Sequence, residues 1–195
     1  MKYYFNPQSR AATTSWMLAE LDVPCEAIHV DLGAGENATP EYRAINPMQK
    51  VPALVDGDVV VTESAAICAY LADKFADKGL APAITSKDRG RYYRYLFFPG
   101  TTLEPLLTAE LLGFEVANPA SVGWGDIERG LMAVESMTPE VDWILGRQFT
   151  AADVVFGGTL DFALNLDWMK VSPRVRAYVE RLRERPAYRT SHGMT

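Results

Sequence analysis

Cysteine is nearly absent from this chain. Cys25 and Cys68 are the only two in 195 residues, and they form no CxxC pair. A disulfide framework and a cysteine-based metal site are therefore not expected, and each thiol reads first as a small buried hydrophobe. Histidine is equally scarce: His29 and His192 lie far apart and beside no acidic cluster, so no metal is expected. Positive charge is in deficit, with 19 Lys and Arg against 25 Asp and Glu, for a net charge of −6. That balance argues against a nucleic-acid partner or a polybasic membrane-surface role. Apolar runs are broken by charge or glycine well short of the roughly 20 residues of a membrane span. The opening MKYYFNPQSR lacks the apolar stretch of a secretory signal, so a cytoplasmic location is expected. Without secretion, the Asn37-Ala38-Thr39 sequon carries little meaning.

What is present falls into two halves. Lys2–Phe5, Cys25–Val30, Pro52–Val55 and Val59–Thr62 read as short strands, the last two joined by the hairpin signal Asp56-Gly57-Asp58. Helices are expected at Ser9–Leu21, at a short segment starting Thr39-Pro40-Glu41, and at Glu63–Phe75, where Ile67, Leu71 and Phe75 fall in register. The order is β-α-β-α-β-β-α. Past Leu80-Ala81-Pro82 the pattern is helical: a long helix from Lys87 interrupted at Pro99-Gly100, then Ile127–Leu145, Ala151–Leu164 and Pro173–Arg185. At Phe149-Thr150-Ala151-Ala152-Asp153-Val154, Thr150 can cap, Asp153 can reach back, and Phe149 can staple onto Val154. A domain of 1–78 and an all-helical domain of 85–195 are expected.

Three stretches in this order carry a resemblance. Asn46-Pro47-Met48-Gln49-Lys50-Val51-Pro52-Ala53-Leu54, Glu63-Ser64-Ala65-Ala66-Ile67 and Phe149-Thr150-Ala151-Ala152-Asp153 resemble words of the cytosolic glutathione S-transferase family, with Arg185-Pro186-Ala187-Tyr188 following. The resemblance, to a bacterial type of unassigned class, spans nearly the whole chain. It implies a thioredoxin-like α/β N-terminal domain that binds glutathione and an all-α C-terminal domain that contributes the acceptor site. It implies a cis bond at Val51-Pro52, leaving the Val51 backbone open to an extended peptide. The start of the helix at Glu63-Ser64 would take the γ-glutamyl α-carboxylate on unpaired N–H groups and the Ser64 hydroxyl. Glutathione-binding residues are thus expected at Gln49, Lys50, Val51, Pro52, Glu63 and Ser64, with glutathione as cosubstrate and a homodimer as the assembly.

The segment Asn6-Pro7-Gln8-Ser9 is the departure. Thioredoxin-like domains place a CxxC after the first strand, and here Asn6 and Ser9 hold the two cysteine positions. Dithiol chemistry at that position is excluded, so the sulfur has to come from glutathione. The serine used by some classes of the family falls on Asn6, and the cysteine of a common bacterial class falls on Arg10. Ser9, then Asn6, are the expected thiolate-holding residues, with Arg10 and the helix N-terminus lowering the thiol pKa. Structural roles stand beside these: Ser9 as a cap, Asn6 as a turn former, Arg10 as a surface residue. Tyr3 or Tyr4 could also offer a phenol.

The expected activity is glutathione transfer to a small apolar electrophile, of the kind used in detoxification, with some of the aromatics of Arg91–Phe98 lining a cleft or a dimer contact. A glutathione-dependent isomerase, dehalogenase or peroxidase, and a non-catalytic binding or assembly module, remain as alternatives.

Overall fold

The computed structural model describes residues 1–194. The chain divides into two compact units, Met1–Gly79 together with the segment from Pro186, and Leu80–Arg185. In the first, strands β1 (Lys2–Phe5), β2 (Glu26–His29), β3 (Ala53–Asp56) and β4 (Val59–Thr62) form one sheet in the order β2-β1-β3-β4. β2 runs parallel to β1, whereas β3 pairs antiparallel with both β1 and β4. Helices α1 (Ala11–Leu21) and α2 (Pro40–Ile45) lie between strands, and α3 (Ser64–Lys74) follows β4. Thr39 caps α2 by accepting from the Tyr42 N–H, with Pro40 in the first turn. Alternation along β1 sets the layers. Tyr3 is buried and its hydroxyl donates to the Ala11 carbonyl of α1 at 2.5 Å, whereas Tyr4 meets Tyr42 of α2 edge-on at 5.8 Å. This is a thioredoxin-like arrangement.

The sequence reading ran the helical domain to residue 195. Instead, helix α9 (Pro186–Ser191) belongs to the first unit. The reason is Trp16: a large indole on α1 needs cover, and the Tyr188 ring meets it edge-on at 5.1 Å, both residues 1% exposed.

The second unit contains α4 (Asp88–Phe98), α5 (Glu104–Leu111), α6 (Ile127–Met137), α7 (Ala151–Asn165) and α8 (Pro173–Arg183). The break expected at Pro99-Gly100 is one wide π-helical stretch, Pro99–Leu103, joining α4 to α5. The helix expected over Ile127–Leu145 stops at Met137. Thr138 precedes Pro139, which disfavours helical backbone before it, and Thr138 is extended at φ −71°, ψ 126°. Helix α7 is buried on nearly all sides, which makes it the centre of this unit. Its start forms the expected capping box between Thr150 and Asp153. Phe149 sits edge-on to Trp143 at 5.1 Å, with the Arg185 guanidinium over its ring.

Gly157 lets α8 approach α7. A Cβ built there would stand 2.1 Å from Leu182 Cδ1, and both residues are buried. Gly157→Ala gains helix propensity of about 1 kcal/mol, yet a net destabilisation of about 1–3 kcal/mol is expected from overpacking. Urea unfolding of Gly157→Ala, Leu182→Ala and the double variant tests this. Losses well below additive are expected, since the smaller Leu182→Ala side chain makes room; strictly additive losses would mean that Leu182 swings aside freely.

Candidate functional site

The sheet register brings the expected site residues to one edge. Tyr4 pairs with Ala53, and Ala53 pairs with Thr62. Asn6 follows β1, Val51 precedes β3 and Glu63 follows β4, so all three leave the same end of the sheet. There the Ser64 hydroxyl donates to the Arg10 carbonyl at 3.4 Å, which ties the start of α3 to the start of α1.

The two helix starts differ in what they leave open. At α1, the Ala11 N–H donates to Ser9 Oγ at 3.1 Å, the Ala12 N–H to the Ser9 carbonyl and the Thr13 N–H to the Arg10 carbonyl. Ser9 Oγ in turn donates to the Asn6 carbonyl at 2.7 Å. Asn6 is held at both ends: its amide donates to the Val30 carbonyl at 3.0 Å, and its Oδ1 accepts from the Gln8 N–H at 3.0 Å. Ser9 and Asn6 therefore build the junction, and one amide proton of Asn6 remains beyond these bonds. Arg10 is half-buried at the N-cap position of α1 and makes no side-chain cap bond there.

At α3 the first turn is open. Glu63 is the N-cap residue but its side chain accepts nothing from the turn, and the first N–H to find a carbonyl is that of Ile67, on Glu63. Glu63 is exposed and holds φ at 67°, a region non-glycine residues rarely occupy. Such backbone persists where surrounding structure imposes it, and here it turns the chain from β4 directly into α3. The result is an uncapped helix N-terminus with a half-buried hydroxyl, a local field that favours an anion.

The loop leading into β3 is braced from beneath. The Val51-Pro52 bond is cis. Gln49 has φ at 57°, and its carbonyl accepts from Asn37 Nδ2 at 2.9 Å. The Lys50 carbonyl accepts from the Tyr42 hydroxyl and from Asn46 Nδ2, each at 2.7 Å. Burial, then neighbouring Tyr4, pushes the Tyr42 phenol up to about 12, so it stays a donor. Pro52 is buried, Val51 half-buried outside the strand ladder and Lys50 exposed. Tyr42 and Asn37 went unassigned in the sequence reading. The cue for Asn37 was there, in an Asn just before a capped helix, but it points first to a glycosylation sequon.

Cys68 and Tyr3 are spent as thiol and phenol candidates. Cys68 is fully buried and its thiol is pushed up to about 12 by desolvation. Tyr3 donates into α1 and contacts Ser15 Oγ, and burial raises its pKa far above the ordinary phenol value. Among the described residues no three or more His, Cys, Asp or Glu groups gather as for a metal. Nor is any helix of the described residues long and apolar enough to cross a membrane.

A thioredoxin-like unit without the CxxC pair, followed by an all-helical unit, defines a two-domain class of fold. Residues 1–73 match the glutathione S-transferase N-terminal domain, and residues 86–181 match the glutathione S-transferase C-terminal domain. The chain belongs to the glutathione S-transferase family, and its fold is that family's fold. Glutathione S-transferase F10 of Arabidopsis thaliana is 39% identical over 116 residues, 58% of this chain and 52% of that protein. The chain thus matches about half the length of that relative. Glutathione S-transferase GstA of Escherichia coli O157:H7 is 28% identical over 95% of this chain and 94% of its own. Among solved structures, a sphingomonad glutathione S-transferase complexed with glutathione superposes with a TM-score of 0.75 at 27% identity, covering 99% of this chain and 98% of that one.

Proposed function

We propose that this protein binds glutathione along Gln49, Lys50, Val51 and Pro52 and at Glu63-Ser64, and holds its sulfur as a thiolate for attack on a small apolar electrophile. The observation that carries the reading is the open first turn of α3, with the Ser64 hydroxyl beside the strained Glu63. The γ-glutamyl carboxylate would take the unpaired N–H groups and that hydroxyl, and exposed Glu63 would face the neighbouring amine. Val51, outside the ladder on a braced loop, would pair with the peptide backbone. Complexes of relatives with glutathione support the same ligand.

Ser9 is the first choice for the thiolate, Asn6 the second, with Arg10 adding positive charge. The Ser9 hydroxyl would exchange the Asn6 carbonyl for the sulfur, because a hydrogen bond to a charged acceptor is the stronger of the two. The thiol proton leaves to solvent, the sulfur bonds to the electrophilic carbon, and the leaving group departs, or the carbon skeleton keeps the electron pair in an addition. The enzyme forms no covalent bond. On the helical unit, Tyr93 and Phe97 lie exposed one turn apart on α4, an apolar surface suited to an electrophile or to a second subunit. A cytoplasmic homodimer completes the reading.

One observation favours an alternative, a glutathione-binding module without catalysis: Ser9 and Asn6 already have partners inside the junction. Titrating the thiol of bound glutathione by its ultraviolet thiolate absorbance separates the two. Ionisation well below the free thiol is expected in the wild type, and Ser9→Ala is expected to raise the bound pKa by about one unit, worth ~1.4 kcal/mol, with Asn6→Ala smaller. Binding with an unshifted thiol pKa would leave the module reading.

A further inference from the structure

Two buried side chains converge on one carbonyl of the loop that leads into β3. The Tyr42 hydroxyl and Asn46 Nδ2 each donate to the Lys50 oxygen at 2.7 Å, and the two residues are 5% and 4% exposed. They reach it from different points of one element, Tyr42 within α2 and Asn46 at its C-cap. Asn46 is tied to the loop a second time: its Oδ1 accepts from the Met48 N–H at 3.0 Å and its carbonyl from the Gln49 N–H at 2.8 Å. One donor would satisfy a carbonyl, whereas two fill both lone pairs and fix its direction. Both donors are sheltered from water, while Lys50 is exposed and Val51 half-buried.

That direction decides where the next N–H points. The Lys50 carbonyl and the Val51 N–H belong to one planar trans peptide, in which C=O and N–H point opposite ways. With the oxygen held toward α2, the Val51 N–H is aimed away from α2, and no acceptor among the described residues takes it. Cysteine is the only residue of glutathione with both an ordinary backbone N–H and an amide carbonyl. Its glutamate is joined through the γ-carboxyl, and its glycine ends in a carboxylate. An extended ligand paired with Val51 therefore offers its cysteinyl carbonyl to that N–H. We infer that Tyr42 and Asn46 are positioning residues for glutathione, which aim the Val51 N–H at the cysteinyl carbonyl by holding the Lys50 oxygen. The inference rests on the glutathione reading above and adds the device that orients that site.

The test follows the assigned Val51 amide resonance of the whole protein and uses glutathione with two smaller probes. γ-Glutamylcysteinamide keeps the cysteinyl carbonyl, and γ-glutamylcysteamine lacks it. In the wild type, glutathione is expected to move the Val51 amide proton downfield. The cysteinamide is expected to bind about three- to tenfold tighter than the cysteamine, the worth of one neutral hydrogen bond. Tyr42→Phe keeps the ring against Tyr4 and loses the hydroxyl. It is expected to bind the cysteinamide about two- to fivefold more weakly, to bind the cysteamine as the wild type does, and to shrink the Val51 shift. Asn46→Ala is expected to show the same selective loss, and it carries the test should Tyr42→Phe fold poorly. A brace with only a structural role weakens both probes alike. That result, or unchanged binding of both, overturns the inference and leaves the glutathione reading standing. If glutathione leaves the wild-type Val51 amide unmoved, or the wild type binds the two probes equally, the pairing at Val51 falls and the inference with it.

Discussion

Asp153→Ala is expected to lower the melting temperature by about 6–20 °C, from a loss of roughly 3–5 kcal/mol. Asp153 is fully buried, and four donors converge on its carboxylate. The Ile144 N–H reaches Oδ1 at 2.9 Å and the Tyr178 hydroxyl reaches the same oxygen at 3.1 Å. The Thr150 N–H and hydroxyl reach Oδ2 at 3.0 and 3.2 Å. One side chain thus starts α7, holds the 138–150 loop through Ile144 and fixes α8 through Tyr178. Alanine leaves all four donors buried without their acceptor. Thr150→Ala removes only the cap hydroxyl and is expected to cost about 1 kcal/mol. A fall in melting temperature for Asp153→Ala no larger than for Thr150→Ala would show that the loop and α8 do not depend on this carboxylate.

The same residue gives a pH dependence with a definite sign. Burial raises the Asp153 carboxyl from 3.8 to about 6, against the lowering effect of its four donors. The folded state therefore binds the proton more tightly than the unfolded chain. Its stabilising share is fully present below pH 3.8 and is lost as pH rises through 6; above that it is constant. Relative to Asp153→Asn, which cannot titrate, wild-type stability in urea is expected to fall by roughly 2–2.5 kcal/mol between pH 4 and pH 7. A difference that grows with pH over this window would mean that the hydrogen bonds outweigh desolvation.

The second large effect is on binding. Ser64→Ala is expected to weaken glutathione by about 10- to 150-fold, the loss of one hydrogen bond to a carboxylate at roughly 1.5–3 kcal/mol. Among the described residues the Ser64 hydroxyl reaches only the Arg10 carbonyl, at a long 3.4 Å. Little stability is therefore lost with it, and the melting temperature should stay within about 2 °C. A glutathione analogue lacking the γ-glutamyl α-carboxylate supplies the control: wild type and Ser64→Ala should bind it equally. If the variant binds glutathione itself with unchanged affinity, the carboxylate lies elsewhere than at the start of α3.

Ser9 shows why the site was only partly legible. Residue type and position name it as a thiolate holder, but where its one proton points depends on the turn that Pro7 and Gln8 make. In the fold that proton goes to the Asn6 carbonyl. Tyr42 and Asn37 were missed because they act through backbone carbonyls of Gln49 and Lys50, several residues away in sequence and adjacent only after α2 packs on the loop.

Local chemistry in the sequence determined the order of elements, the hairpin at Asp56–Asp58, the capping box at Thr150-Asp153 and the absence of a protein dithiol. Each of these depends on residues within a few positions of one another. Tertiary structure alone decided that α9 returns to cover Trp16, that Asn6, Val51 and Glu63 leave the sheet at one end, and that α3 begins uncapped where α1 is sealed. Those outcomes depend on strand register and on which polar groups find partners across the fold.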